Sequence, residues 1–200
     1  MQYIGHRINT LAQLYELPTV YGAELDLRDD LNGRIYIQHH PFEQGEDFEA
    51  YLKEYHHGTM ICNVKSERIE LKVLELLDQY GIFDFFFLDS SFPMIHLLAQ
   101  AREHRMALRF SEYEGMDTVQ AMAGKADWVW VDCFSRLPVS KDQFDCIKKM
   151  GYHTCLVSPE LQGQEEKIEV YARQMKEEGI VFDAICTKVH QIDRWEKLLH

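Results

Sequence analysis

Long hydrophobic runs are missing from this 200-residue sequence. The longest candidate, "GIFDFFFL", is interrupted by Asp84, whereas a helix crossing a bilayer needs roughly 20 apolar residues. Membrane insertion is therefore not expected. No cluster of lysine and arginine stands anywhere, and the net charge is −12, which argues against a nucleic-acid surface built on a basic stripe. An acidic chain can still hold an anion in a local basic pocket. The opening "MQYIGHRINT" has no charged segment followed by an apolar one, so no secretory signal is expected. Cys62, Cys133, Cys146, Cys155 and Cys186 are odd in number and lack metal-ligand spacing. Most lie in apolar runs, the pattern of buried small side chains in a reducing compartment, and a cytoplasmic location is the expectation. Low-complexity tracts and linkers are absent as well. The remaining composition, 46% hydrophobic, suits one globular domain over residues 1–200.

One alternation runs from end to end. Short β-rich runs occur at "QYIGH", "YGAELDLR", "GTMICNVK", "FDFFFLD", "RMALRFSE", "DWVWVDC", "YHTCLVS" and "FDAICTK". Helix-prone segments follow them. Phe48, Tyr51, Leu52 and Tyr55 form an apolar stripe, as do Ile69, Val73, Leu76 and Tyr80 ahead of Gly81. Pro93 marks the start of a helix over "MIHLLAQAR". Ser140 and Gln143 form a capping box before Phe144 and Ile147, with Gly151 as the stop. Ile168, Tyr171, Ala172 and Met175 make another stripe closed by Gly179, and Trp195, Leu198 and Leu199 the last. Strands alternating with helices predict a parallel α/β sheet. Eight strands favour a compact (β/α)₈ TIM barrel, at the lower size limit for that fold, over an open doubly wound sheet. The first loop, "GHRINT", is not the glycine-rich turn a nucleotide-binding open sheet would carry.

In such a barrel the chemistry sits at the C-terminal ends of the strands. The polar residues there are His6 and Arg7, then Glu24 and Asp26, His39 and His40, Asn63 and Lys65, Asp89, Arg109, Ser111 and Glu112, Asp132, and Lys188. Side chains alternate along a strand, so Glu24 and Asp26 share one face, and the intervening Ala23, Leu25 and Leu27 pack away from it. Two inward carboxylates repel each other unless something positive lies between them. A divalent cation with oxygen ligands is one solution; protonation, or pairing with Arg7 or Lys65, is the other. His6 and His39 can serve as general acid and base. Arg7 and Lys65 can hold an anion such as phosphate. Asp89, Glu112 and Asp132 read as loop caps or ion-pair partners, Trp128 and Trp130 as core, and His40, His56 and His57 as surface residues. The inventory fits metal-assisted cleavage of a phosphodiester.

"GHR", "GAELDLRDDLNGRIYIQHHPF", "CNVK", "LDSSFPMIHLLAQ" and "FDAICTK" together resemble the glycerophosphodiester phosphodiesterase family, whose members are barrels related to phosphatidylinositol phospholipase C. The resemblance runs from residue 4 to about residue 190. It is most specific at Glu24, Asp26, the Asn32-Gly33 turn and His39. It implies that His6 and His39 are the acid–base pair, that Arg7 and Lys65 hold the substrate phosphate, and that Glu24, Asp26 and Asn63 face a divalent metal, Mg²⁺, Ca²⁺ or Mn²⁺. The substrate it implies is a small glycerophosphodiester-like diester, of the kind that releases glycerol 3-phosphate and an alcohol. This sequence departs from the family pattern in places: Asn63 stands where the family has a carboxylate, Ile8 where it has glycine, and His40 where it often has aspartate. The family's later E-N-T motif is missing, with "NT" at Asn9-Thr10 as its nearest counterpart. An amide oxygen can ligate a hard cation but adds no charge. Two readings therefore stand: a metal-dependent phosphodiesterase, or a non-catalytic barrel that binds a phosphorylated ligand over a degenerate metal site. A phospholyase or transferase using the same residues is a third. The short loops show no apolar segment for entering a bilayer.

Overall fold

A computed structural model describes all 200 residues. All eight anticipated parallel strands form: β1 (Gln2–Gly5), β2 (Gly22–Asp29), β5 (Met60–Val64), β6 (Phe85–Leu88), β7 (Ala107–Phe110), β8 (Trp128–Val131), β9 (His153–Val157) and β10 (Ala184–Thr187). Two further strands, β3 (Ile35–Ile37) and β4 (Glu46–Asp47), were not read from the sequence. They follow the Asn32-Gly33 turn, where Gly33 adopts φ +74 and lets the chain fold back on β2. The helices are α1 (Leu11–Glu16), α2 (Phe48–Glu54), α3 (Glu70–Gln79), α4 (Phe92–Gln100), α5 (Met116–Ala121), α6 (Lys141–Lys149), α7 (Ile168–Glu178) and α8 (Ile192–Leu199).

Local chemistry fixes most of these boundaries. Thr10 caps α1 and Ser140 caps α6, each in a reciprocal capping box with the glutamine three residues on. Gly81, Gly151 and Gly179 stop their helices in the left-handed region. Pro93 is the second residue of α4, one place later than anticipated. The stripes on α2 and α7 are buried as expected, and that on α3 is buried except at the half-exposed Tyr80; on α8 Ile192 and Trp195 carry the burial while Leu198 and Leu199 remain half-exposed.

The chain divides into two compact units, residues 4–101 and residues 1–3 with 102–200. In the first unit β1, β2, β5 and β6 run parallel in that order, and β3 and β4 extend the far end of β2 antiparallel. β5 and β6 are buried at every residue, which is why they read as continuous apolar runs rather than as alternation. Gly22 is required where β2 begins: a Cβ there would stand 2.3 Å from the Thr59 carbonyl oxygen. In the second unit β7, β8, β9 and β10 are parallel in chain order. Its core includes Trp195, whose indole donates to Ser158 Oγ at 2.7 Å. Beside it Glu160 is buried, accepting from the Ser158 hydroxyl, the Thr187 hydroxyl and the Lys188 N–H.

Of the ladder expected for a closed (β/α)₈ ring, the eight parallel strands are present, but no pairing joins β6 to β7. β6 has β5 as its ladder partner and β7 has β8, so each is an edge strand. Both are four residues long, and Asp89 turns the chain out of β6 at φ 61. Period-two patterning counts strands; it carries no information on the tilt and stagger that close a ring.

Candidate active site

The seven site residues inferred from the sequence come together at one end of the first unit. Parallel pairing puts Asp26 of β2 in register with Asn63 of β5, and Glu24 with Ile61, so both carboxylates and the amide share a face. Ala23, Leu25 and Leu27 are fully buried on the opposite face, as alternation requires. Glu24 and Asp26 are each 0% exposed and Asn63 7%.

These buried acids are surrounded by donors. Asn63 Nδ2 donates to Glu24 Oε1 at 2.7 Å and approaches Asp26 Oδ1 at 3.4 Å. Glu24 Oε2 accepts from the Arg7 backbone N–H at 2.7 Å. Asp26 accepts from Asn9 Nδ2 at 2.8 Å, and its own N–H donates to Asn9 Oδ1 at 3.0 Å. Lys65 Nζ lies 3.7 Å from Asp26 and 3.2 Å from Asp89, and Arg7 Nε lies 3.8 Å from Asp26. Pairing with Lys65 and Arg7, left open at the sequence level, is thus realised at Asp26. Burial, with Asp26 alongside, still pushes the Glu24 carboxyl up to about 7, despite the donors from Asn63 and Arg7.

The histidines flank this pair. His6 Nε2 is 3.8 Å from Glu24 Oε2. Burial, reinforced by the Arg7 guanidinium, lowers the His6 pKa to about 4, so its imidazole is neutral at pH 7. His39 Nε2 lies 2.7 Å from Arg7 Nη2. Guanidinium has only donors, so Nε2 is the acceptor and the ring proton sits on Nδ1, which is buried and has no partner. The His39 pKa is also lowered, by burial first and then by Arg7 and Lys65, against an opposing pull from Asp26. Arg7 holds a left-handed backbone, φ 56, as does Asp89. Non-glycine residues in that region cost on the order of 1–3 kcal/mol and cluster at functional sites.

Two neighbours had no role assigned from the sequence. Asn9 is the one that completes Asp26, and its signal was the "NT" after "GHRI". Arg28 has the parity of Glu24 and Asp26 and spans three backbone carbonyls, those of Gln38, His39 and Lys65. A cleft of about 370 Å³, lined by Asn9, Thr10, Ile37, Gln38, Gln44, Gly45 and Glu46, opens beside the Asn9–Asp26 pair. His57, expected at the surface, is half-buried and bonds the Leu17 carbonyl at 2.8 Å. The loops also carry more apolar surface than expected: Leu31 and Phe42 are fully exposed, at 106% and 102%. Elsewhere Glu112 caps the backbone N–H groups of Phe134, Ser135 and Arg136, and Asp132 pairs with Arg109 at 2.7 Å, as loop caps and ion-pair partners do.

No three carboxylate, imidazole or thiolate side chains converge to hold a metal ion. What converges is two carboxylates and an amide, and the Asn63 Oδ1 is buried without a partner. A half-turn of that amide would direct its unsatisfied oxygen between Glu24 and Asp26. That makes three oxygen donors on adjacent strands, a set suited to a hard divalent cation. The donor chemistry fits, with one charge fewer than three carboxylates would supply.

No family model matches the chain, and no curated protein matches it in sequence. In fold it is similar to a glycerophosphodiester phosphodiesterase from Agrobacterium tumefaciens, with TM-score 0.66, 17% identity, and 93% of this chain covered against 96% of that one. It is also similar to a glycerophosphoryl diester phosphodiesterase from Parabacteroides distasonis, with TM-score 0.69, 10% identity, and 100% and 87% covered. Both solved structures share the fold of this chain along most of its length.

Proposed function

We propose that the chain is a divalent-metal-dependent hydrolase of a small phosphodiester, framed on a (β/α)₈-type sheet. The observation that carries this reading is the joining of His6, Arg7, Glu24, Asp26, His39, Asn63 and Lys65 in one network at the strand ends, each within 4 Å of another member. The two structural relatives named as phosphodiesterases support it. Arg7 and Lys65 orient the phosphate. Neutral His6 takes the proton of the attacking water, and His39, once protonated, returns one to the leaving alkoxide. A cation held by Glu24, Asp26 and Asn63 would neutralise phosphate charge as the bond to the leaving oxygen breaks. The cleft beside Asn9 offers room for the alcohol portion of a small diester. Four of the five cysteines are buried, which accords with a reducing, cytoplasmic setting, and no helix is long and apolar enough to cross a membrane.

The second reading, a phospho-ligand-binding barrel without turnover, draws on the amide nitrogen that fills the space between Glu24 and Asp26. The deciding experiment is hydrolysis of a panel of phosphodiesters with Mg²⁺, Ca²⁺ or Mn²⁺, repeated with EDTA. Turnover that disappears with EDTA and returns with metal is expected. Phosphate binding without turnover under any metal would replace the first reading with the second. Product analysis in ¹⁸O-labelled water separates hydrolysis from cyclisation or transfer.

A further inference from the structure

Arg28 belongs to no role so far assigned. It follows Asp26 by two positions, so it lies on the same face of β2 as both carboxylates. Its guanidinium is spent entirely on backbone. Nε donates to the Gln38 carbonyl at 3.1 Å, Nη2 to the His39 carbonyl at 2.8 Å, and Nη1 to the Lys65 carbonyl at 2.9 Å. Two separate segments are thereby tied to one rigid plane: the residues leaving β3, which carry His39, and the residue leaving β5, which is Lys65. The other ends of both segments are already fixed on β2, since the Gln38 N–H donates to the Asp26 carbonyl and the Lys65 N–H to the Leu27 carbonyl. Beyond these points no ladder holds His39, and its ring contact to Arg7 at 2.7 Å is exposed.

We propose that Arg28 is a positioning residue that sets the distance between the His39 imidazole and the anion-holding pair Arg7 and Lys65. The inference rests on the phosphodiesterase reading for its catalytic consequence, but not for its consequence in anion binding. A planar fork with fixed N–H directions can serve three carbonyls at once; the lysine ammonium is a point donor on a flexible stem and cannot hold the same plane. Displacing a reacting group by about 1 Å can cost on the order of 100-fold in rate.

The test compares Arg28→Gln and Arg28→Lys with Arg34→Gln, a control on the same hairpin whose side chain pairs with Asp30 and Asp47. Inorganic phosphate binding is measured by calorimetry, amide hydrogen exchange is followed at residues 38–40, and kcat and KM are measured on a small diester. Both Arg28 variants should weaken phosphate binding about tenfold, speed exchange at 38–40, and lower kcat by ten- to a hundredfold, more than they raise KM. Arg34→Gln should leave all three near wild type. Arg28→Lys keeps the charge, so a folded Lys variant that matches wild type in binding, exchange and kcat overturns the proposal. So does a loss shared equally by Arg34→Gln, or wild-type protein that binds no phosphate. If wild type binds phosphate but turns over nothing, the hydrolase reading fails, and the exchange and binding arms alone decide Arg28.

Discussion

Replacing Asn63 with aspartate keeps its volume and reverses its electrical role. The wild-type amide donates to Glu24 at 2.7 Å in a site where both neighbouring carboxylates are fully buried. Hydrogen bonds to charged groups are worth about 1.5–3 kcal/mol. A third carboxyl at that distance must either stay ionised, losing the bond and adding a like charge, or take up a proton well above its ordinary pKa to keep a donor there. Either course should cost on the order of 3–4 kcal/mol near pH 7.5 in the absence of metal. For a chain of this size that is a fall in Tm of about 6–16 °C. The sign with pH is fixed. The new carboxyl has a folded pKa above its unfolded value, so the penalty is absent below the unfolded carboxylate range, grows as pH rises through it, and levels off above the folded pKa. At pH 4 the added group is protonated, its hydroxyl can donate where the amide did, and the two proteins should melt together. Saturating Ca²⁺ or Mg²⁺ at pH 7.5 should return stability to the variant, about 2.7 kcal/mol at 100 times Kd. The assay is thermal or urea unfolding of both proteins across pH 4 to 8, with and without cation. A pH-independent gap, or a variant that gains no more from cation than wild type, would refute the placement of the Asn63 amide between the two acids.

Removing His39 by His39→Ala should lower kcat by about 10²–10⁴-fold on an unactivated diester, and much less on one with a p-nitrophenolate leaving group, which needs no proton; equal losses on both substrates would sink its role as acid. The low His6 pKa means that the unfolded chain binds a proton on acidification before the native one does. Stability should therefore be intact above pH 6.5 and fall by up to about 3 kcal/mol as pH drops toward 4; the His6→Gln variant should lack that part of the decline in a pH series of urea melts. Cation binding near neutral pH should release protons, because burial beside Asp26 raises the Glu24 carboxyl and it must ionise to ligate; calorimetry in buffers of different ionisation enthalpy reads this directly, and no release anywhere between about pH 5 and 8 would place the metal elsewhere. Gly22→Ala should cost about 1–3 kcal/mol, since its Cβ would meet backbone at 2.3 Å, visible as a lower midpoint in urea with an unchanged m-value.

Local pattern determined a good deal here. The alternation of short apolar runs with striped segments located eight strands and most of the helices, because burial on both faces of a strand or one side of a helix must be written into the order of residues. Parity alone put Glu24 and Asp26 on one face, and caps such as Ser140 with Gln143 marked helix starts without help from the rest of the chain. Features made by residues far apart in sequence were decided only by tertiary structure. The β3–β4 extension was hidden because its strands are three and two residues long. The role of Asn9 depended on β1 and β2 lying side by side, and that of Arg28 on two loops meeting at one guanidinium. The direction of the Asn63 amide follows from what Glu24 and Asp26 need in the dark of the core. The sequence could name an amide where a carboxylate was expected; only the fold showed its nitrogen, rather than its oxygen, turned toward the two acids, because a buried negative pair draws the nearest N–H donor.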